Sequence, residues 1–451
     1  MNSSITNIKF LRFINSKVPP HFRVNYSYYK KTSNLLKRNL DNDEIKKIQL
    51  DRINKIVEVA WKIPGYKNFW KSNGFNRKEL TRLSDYKEIP PIDKAYIRSN
   101  FENFTPSYKR YKLTKTGGST GNPFQIYDPI FQQRIEQAFI HTIWRRFYKS
   151  IDVKTKSTIL RGGKFNDSWS YDPMRGLFLS SYKLTQETSL QFIKLIDKYK
   201  TPVLHAYPSS LFQFSKYLKK LNVSPDHKFK LIALGSEPIA NYQKDLIYST
   251  FSTPIVNWYG HGEKVILAGN KPDSDYYYIE KLYGITELLN EQSKAIDIDE
   301  EGELTGTSLW NDCMPLIRYR TGDRAIASST WEKELHQPEI LSTITGRKHE
   351  YLVTKKKTLV PVTALTLSYG KFDQIKRVQF IQNRIGEAIL DIELMDVNKE
   401  FDTKPLAILF KELMGDQIDI KLNLVEQIKP TKAGKHIYLL QKLSMSDFDN
   451  E

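Results

Sequence analysis

Between residues 185 and 260, apolar runs alternate with stretches of helical spacing. This alternation restricts the chain to folds built on a sheet with helical crossovers. Leu190, Ile193 and Ile196 mark a helix, and Pro202-Val203-Leu204-His205-Ala206 reads as a buried strand. Leu211, Phe214, Tyr217 and Leu218 mark a second helix, which Ser209 or Ser210 is suited to cap. Residues 229–234 and 254–258 read as further strands, with a helix between them starting after Pro238. In such folds ligands sit beyond the carboxyl ends of the strands. Two loops at those ends are chemically loaded: Gly235-Ser236-Glu237-Pro238 and Tyr259-Gly260-His261-Gly262-Glu263.

The flanks have a different texture. Residues 41–61 predict a helix, opened by a capping box of Asp41 and Glu44 and ended by Pro64-Gly65. After about residue 345 short strands dominate, at 378–382, 388–394, 418–425 and 437–440, with one helix at 404–414. The expected fold class is α/β. A large N-terminal domain (1–344, with a helical lead-in over 1–110) carries mixed sheets and helical crossovers, and a small mobile C-terminal α+β domain (345–451) follows. The boundary is placed at Thr345-Gly346-Arg347.

Composition excludes several classes. The chain has 451 residues, 40% of them hydrophobic and 27% charged, enough for a sizeable core and a charged surface. Its only cysteine, Cys313, rules out an internal disulfide and a Cys₄ or Cys₂His₂ zinc site, and reads as a packed apolar residue. No run approaches the roughly 20 apolar residues of a membrane helix. Lys9, Arg12 and Lys17 interrupt the first apolar stretch, so no signal-peptide core is read, and the expectation is a cytoplasmic protein. The net charge of +18 is spread over short runs such as Lys355-Lys356-Lys357, with no zinc-finger or RNA-binding pattern. No nucleic-acid partner is therefore expected. His141, Trp144, Arg145, Arg146 and Arg161 read as a solvated face with, at most, a contact to an anionic substrate.

The densest signal is Lys115-Thr116-Gly117-Gly118-Ser119-Thr120-Gly121-Asn122-Pro123. Glycines let backbone N–H groups approach phosphate oxygens, and the hydroxyls add donors. No Lys follows Gly121, which excludes the P-loop NTPase pattern, and the glycine spacing does not match a kinase loop.

This segment resembles the phosphate loop of the adenylate-forming superfamily, and further motifs agree in order. Tyr259-Gly260-His261-Gly262-Glu263 resembles that family's Tyr-Gly-x-Thr-Glu, with Gly262 where threonine is usual. Tyr319-Arg320-Thr321-Gly322-Asp323 matches without change, Gly346-Arg347 resembles the hinge, and Pro430-Thr431-Lys432-Ala433-Gly434-Lys435 the C-terminal Pro-x-x-x-Gly-Lys. Within the superfamily the chain is most similar to the phenylacetate–CoA ligase-like branch and its CapK-type capsular polysaccharide proteins. Val59-Ala60-Trp61-Lys62-Ile63-Pro64-Gly65-Tyr66 and the Gly-Ser-Glu-Pro segment carry that narrower likeness.

The resemblance implies ATP and Mg²⁺, and attack of a carboxylic or amino acid on the α-phosphorus. Thr116, Gly117, Gly118, Ser119, Thr120 and Gly121 would hold the phosphates and Glu263 the Mg²⁺. Tyr259 would pack on adenine, with Gly260 beside it in the nucleotide site and the backbone of Gly235, Ser236, Glu237 and Pro238 along the adenine edge. Asp323 would take the ribose hydroxyls and Arg347 the ribose region. Lys435, on the small domain, would bridge carboxylate and α-phosphate; Thr120 and Glu263 complete the implied catalytic set. Ser236 and Glu237 also read as caps of the following helix. Lys348-His349-Glu350 replaces the family's usual acidic pair, and Thr354-Lys355-Lys356-Lys357-Thr358 lacks the glycine expected in the next turn. Coenzyme A as acceptor therefore has no support in the sequence, and a sugar or polysaccharide-precursor acceptor is the expectation that the CapK likeness implies.

Overall fold

A computed structural model describes Val18 and residues 25–106, 111–115, 124–161, 167–237, 239–333, 335–347, 351–357, 359–362, 365, 372, 374–396, 399–429 and 436–443. The lead-in carries α1 (Tyr26–Leu35), α2 (Asn42–Trp61), α3 (Pro64–Ser72), a short β1 (Ile92–Asp93) and α4 (Lys94–Ser99). β2 (Tyr111–Lys115) and β3 (Gln125–Pro129) pair antiparallel, and α5 (Gln132–Arg145) follows. Next come β4 (Ser157–Arg161), β5 (Trp169–Asp172), β6 (Gly176–Ser180), α6 (Gln186–Tyr199), β7 (Val203–Ala206) and α7 (Pro208–Leu221). β8 (Leu231–Gly235), α8 (Asn241–Phe251) and β9 (Ile255–Gly260) complete the alternation. Antiparallel strands follow: β10 (Leu267–Lys271), β11 (Ser274–Ile279), β12 (Gly284–Leu289), β13 (Glu301–Ser308), β14 (Tyr319–Glu332) and β15 (Gln337–Arg347). The remainder holds β16 (Tyr351–Val353), β17 (Leu359–Pro361), β18 (Ile375–Arg384), β19 (Glu387–Leu394), α9 (Lys404–Met414), β20 (Asp419–Val425) and β21 (Leu439–Gln441).

Among the described residues one large sheet runs β12-β13-β14-β15-β11-β10-β9-β8-β7-β4-β6-β5, with β1 beside β14. The stretch β6-β4-β7-β8-β9 is parallel, as the crossovers require. Leu231–Gly235 is buried along its whole length, as a strand covered on both faces must be. From β9 to β12 the sheet is antiparallel. A separate four-stranded sheet, β20-β19-β18-β21, packs on α9 through Phe380, Leu390, Leu406 and Phe410. This is the mixed α/β architecture that the alternating sequence implies. No helix of the described residues is long and apolar enough to cross a membrane.

Four local expectations need correction. Pro64-Gly65 does not merely end α2: Pro64 opens α3 at its first position, where its missing N–H costs nothing. The helix after β8 follows Pro238 as expected but starts at Asn241, with Ala240 as its N-cap residue, so Ser236 and Glu237 do not cap it; Pro238 itself lies outside the described residues. α7 starts at Pro208, and neither Ser209 nor Ser210 caps it. The polar residues of α5 do not form a solvated face. His141 is buried and shares a hydrogen bond with the Tyr29 hydroxyl at 3.0 Å, Trp144 is buried, and Arg146 pairs with the buried Glu280. The capping box of α2 forms as expected, with Glu44 N donating to Asp41 at 2.8 Å.

Buried His141 and half-buried His205 make stability pH-dependent. Burial, with Arg145 and Arg134 nearby, pushes the His141 imidazole down to about 3. Burial, with Arg161 and Arg175 nearby, pushes His205 down to about 4. Each titrates near pH ~6.5 once unfolded, so unfolding takes up protons below that pH. Their contribution is complete above about pH 6.5 and is lost as the pH falls toward the folded values, at about 2 kcal/mol per histidine by pH 5. Denaturant midpoints measured from pH 7 to pH 4.5 should fall in that window, and a His141→Gln variant should show a shallower slope. An unchanged slope would refute the assignment.

Candidate active site

The hairpin of β2 and β3 closes on the register pair Lys115↔Gln125, which brackets the glycine-rich segment. Thr116, Gly117, Gly118, Ser119, Thr120 and Gly121 lie outside the described residues. Their hairpin is tied to the next motif. Asp128 on β3 accepts the Thr114 hydroxyl at 2.8 Å and pairs with Lys264, the neighbour of Glu263.

β8 ends at Gly235, whose position tolerates no side chain. A Cβ there would lie 2.9 Å from the Trp258 ring. Trp258 packs with Trp144 and His205, ring centroids 5.7 and 5.2 Å away, as an aromatic layer beneath the loop. Ser236 adopts φ +70°, a left-handed conformation that costs a non-glycine residue about 1–3 kcal/mol. Glu237 follows, its carboxylate turned to two backbone N–H groups, those of Ser209 and His436.

β9 delivers the second motif. Tyr259 donates its hydroxyl to Asp323 Oδ2 at 2.6 Å, which joins residues 64 positions apart in sequence. Asp323 is 8% exposed. Its backbone N–H donates to Thr321 Oγ1 at 3.0 Å, and Arg347 stands opposite it in the β14–β15 register. The Arg347 side chain lies outside the described residues, as does Lys435 with the rest of the Pro430–Lys435 motif.

Glu263 is 5% exposed. Lys94 Nζ sits 3.0 Å from its Oε1, and the Tyr319 hydroxyl reaches the same oxygen at 3.4 Å. His261 Nδ1 lies 3.4 Å from Oε2 without hydrogen-bond geometry, and both its ring nitrogens are buried with no hydrogen-bond partner among the described residues. Lys94 is thus the firmer contact. Burial alone would raise the Glu263 carboxyl, but His261 and Lys94 outweigh it and hold the group below the usual carboxylate range. The structure therefore brings the Tyr259–Glu263 and Tyr319–Asp323 motifs into one site, with the Gly235–Glu237 loop ending the strand beside β9.

Sequence reasoning missed Lys94. It is the first residue of α4, capped by Asp93, whose carboxylate accepts Tyr96 N at 2.7 Å. β1 places it by pairing with β14 in the register Ile92↔Tyr319 and Asp93↔Arg320. The N-cap pattern was available in the sequence. The pairing with a strand more than two hundred residues later was not.

Removing the Lys94 charge should leave Glu263 buried and poorly compensated. Lys94→Met is expected to cost about 3 kcal/mol in denaturant unfolding, the scale of breaking one buried pair. The double variant Lys94→Met with Glu263→Gln should recover part of that loss, and a single variant as stable as wild type would contradict the pairing. Gly235→Ala should cost about 1–3 kcal/mol by overpacking against Trp258, read as a lower thermal midpoint.

Comparison with known proteins agrees with this geometry. Residues 352–442 match the family model of the CapK C-terminal domain. The chain is 23% identical over 391 residues to Protein CapK of Staphylococcus aureus, covering 84% of this chain and 85% of that protein. It is 23% identical over 353 residues to phenylacetate-coenzyme A ligase of Aromatoleum evansii, covering 71% and 74%. Among solved structures, 2-hydroxyisobutyryl-CoA ligase in its postadenylation state with R3-HIB-AMP matches with a TM-score of 0.69 at 15% identity, covering 91% of each chain. The same ligase in its thioesterification state matches with 0.57 at 14% identity, covering 89% of this chain and 90% of that one. With the motifs joined as above, the chain is CapK- and phenylacetate–CoA ligase-like in sequence over most of its length, carries a match to the CapK C-terminal domain at residues 352–442, and shares the fold of a CoA ligase.

Proposed function

We propose that the chain is an ATP-dependent, AMP-forming ligase that converts a carboxylate to an acyl-adenylate in the cytoplasm. The observation that carries this reading is the convergence of Glu263, Tyr259 and Asp323 at the carboxyl end of β9, with Tyr259 bonded to Asp323 at 2.6 Å. Residues 1–344 would hold the nucleotide and residues 345–451 would close over it. The attack brings one anion onto another, so catalysis is mostly positioning and charge compensation.

The donor set fits Mg²⁺. Glu263 is an ionised carboxylate, the described residues hold no group of three or more metal-ligating side chains, and Mg²⁺ usually takes one or two carboxylates with phosphates and water. When bound, the ion would neutralise phosphate charge. Lys94, 3.0 Å from Glu263, would add a second positive charge on that side of the site. Asp323 orients the ribose, and Tyr259 holds its ring in place through the bond to that same carboxylate. Arg347 would serve the ribose region, a role that rests on the Gly346-Arg347 motif. Ser119 and Thr120 donate to the β- and γ-phosphates, and Lys435 bridges the carboxylate and the α-phosphate; these roles rest on the motifs. Trp144, His205 and Trp258 supply an aromatic wall for the acyl group.

The likeness to Protein CapK supports a role in capsular or surface polysaccharide synthesis, with a sugar hydroxyl or amine as acceptor. The second reading is an acyl- or aryl-CoA ligase, favoured by the names of the phenylacetate-coenzyme A ligase relatives. ATP–pyrophosphate exchange with Mg²⁺ and pooled aryl, fatty, hydroxy and amino acids, without coenzyme A, should give a carboxylate-dependent signal. Adding coenzyme A or a sugar acceptor then separates the two by product. Lys435→Ala should lower exchange by at least about 10²-fold, the scale of one preorganised contact, while ATP still binds. Wild-type exchange in that variant would remove Lys435 from the chemistry, and intact Mg-ATP binding without exchange under any acid would favour a nucleotide-binding scaffold.

A further inference from the structure

Glu237 makes a contact that no motif assigns. Its Oε2 accepts the Ser209 N–H at 3.0 Å, and its Oε1 accepts the His436 N–H at 3.1 Å. The first bond lies in the opening turn of α7, which has Pro208 at its first position and no side-chain cap of its own. That turn presents orphan amides and the positive end of a helix dipole, so it favours a carboxylate. The second bond crosses to the C-terminal part of the chain, at the residue directly after Lys435.

His436 is itself held firmly. Its ring Nε2–H donates to Val378 O on β18 at 2.8 Å, and its ring meets Tyr438 edge-on with centroids 4.4 Å apart. Burial, with the nearby Arg377 charge, pushes its imidazole down to about 3, so it stays neutral. Two further contacts join the same surfaces. Gln243 on α8 donates to the Tyr438 hydroxyl at 3.4 Å, and Lys216 on α7 donates to Ile375 O at 2.7 Å. Among these, Glu237 alone links the loop after β8 to the backbone beside the Pro-x-x-x-Gly-Lys motif.

We propose that Glu237 is a positioning residue: its carboxylate registers the His436 N–H, and with it the strand entered from Lys435, on the loop after β8 for the adenylation step. It touches no reacting atom. The strained Ser236 is explained by the same demand, since φ +70° at that residue precedes a carboxylate that must meet α7 and β21's approach at once. The bond must break whenever the C-terminal part leaves this arrangement, so Glu237 acts on the first half-reaction and not on a later one.

The inference rests on the adenylation reading, and its test separates the two. In the full-length chain, Glu237→Ala should speed hydrogen exchange of the His436 amide by at least about tenfold, the scale of one hydrogen bond to a charged group. With the acid that wild type activates, it should lower the kcat of ATP–pyrophosphate exchange by a similar factor. The KM for ATP should stay within about twofold, as expected when ground-state binding is untouched. Discharge of a supplied acyl-adenylate should fall much less than exchange does. Glu237→Gln keeps one acceptor oxygen and the volume of the side chain, guards against a folding defect, and should lie between wild type and Glu237→Ala on each measure. An unchanged His436 amide, or equal losses in both half-reactions, overturns the proposal. A wild-type chain silent with every acid strikes the adenylation reading instead, and the His436 amide still decides whether Glu237 registers the strand.

Discussion

The buried carboxylate of Glu263 sets the terms for the site around it. An unpaired charge at that depth costs several kcal/mol, so the fold must bring compensation to it. His261 and Lys94 provide this together; Lys94 comes from the lead-in, and its arrival depends on β1 lying against β14. Arg318 fixes that pairing. Its guanidinium donates to Glu287 at 3.0 and 2.8 Å, and to Lys87 O and Ile89 O at 2.8 and 2.7 Å. A bidentate, buried arginine thus clamps the segment before β1 to the start of the Tyr319–Asp323 motif. The lead-in is therefore part of the site rather than an appendage, because without it Glu263 would lose its counter-ion.

The same logic explains why the two nucleotide motifs meet as they do. Tyr259 and Asp323 share a bond of 2.6 Å, which fixes the direction of the carboxylate at the end of the Tyr319–Asp323 motif. Thr321 supports it from below, donating its hydroxyl to Leu304 O while accepting the Asp323 N–H. Glu263 and Asp323 thus each have a partner that fixes the direction of the carboxylate, which is what preorganisation requires.

Much of this was legible in the sequence, and what was not has a common physical cause. The α/β alternation, the capping box at Asp41 and the C-terminal helix at 404–414 follow from local periodicity and caps, and the structure reproduces them. The Tyr259–Glu263 and Tyr319–Asp323 motifs were readable because their residue order resembles that of the adenylate-forming superfamily. Lys94, the clamp at Arg318 and the Glu237 contacts were not readable, since each joins segments far apart in the chain. The misplaced caps have the same origin: α7 is capped by Glu237, a residue 28 positions later, so its own serines are not needed. The turn at Lys355-Lys356-Lys357 shows a subtler case. The missing glycine leaves Lys357 to adopt φ +58° itself, held by its N–H bond to Thr354 O at 2.9 Å.

The hinge region carries a second carboxylate with a comparable duty. Glu301 Oε1 accepts the Thr345 hydroxyl at 2.7 Å and the Tyr351 hydroxyl at 2.9 Å, from residues on either side of Gly346-Arg347. Its other oxygen takes Arg324 Nε at 2.8 Å. Burial would raise this carboxyl, but the Thr345, Arg324 and Tyr351 contacts together hold it below its ordinary range. A hydrogen bond to a charged group contributes about 1.5–3 kcal/mol, so swinging residue 351 away from 345 breaks a contact of that size. Glu237 and Glu301 therefore hold the C-terminal part at two separated points, one beside the motif lysine and one beside the hinge. One point would leave a pivot and two would leave an axis; the Gln243–Tyr438 and Lys216–Ile375 bonds remove that remaining freedom. A rotation that served a second half-reaction would have to release Glu237 first, while Glu301, close to the axis, need lose only one of its partners.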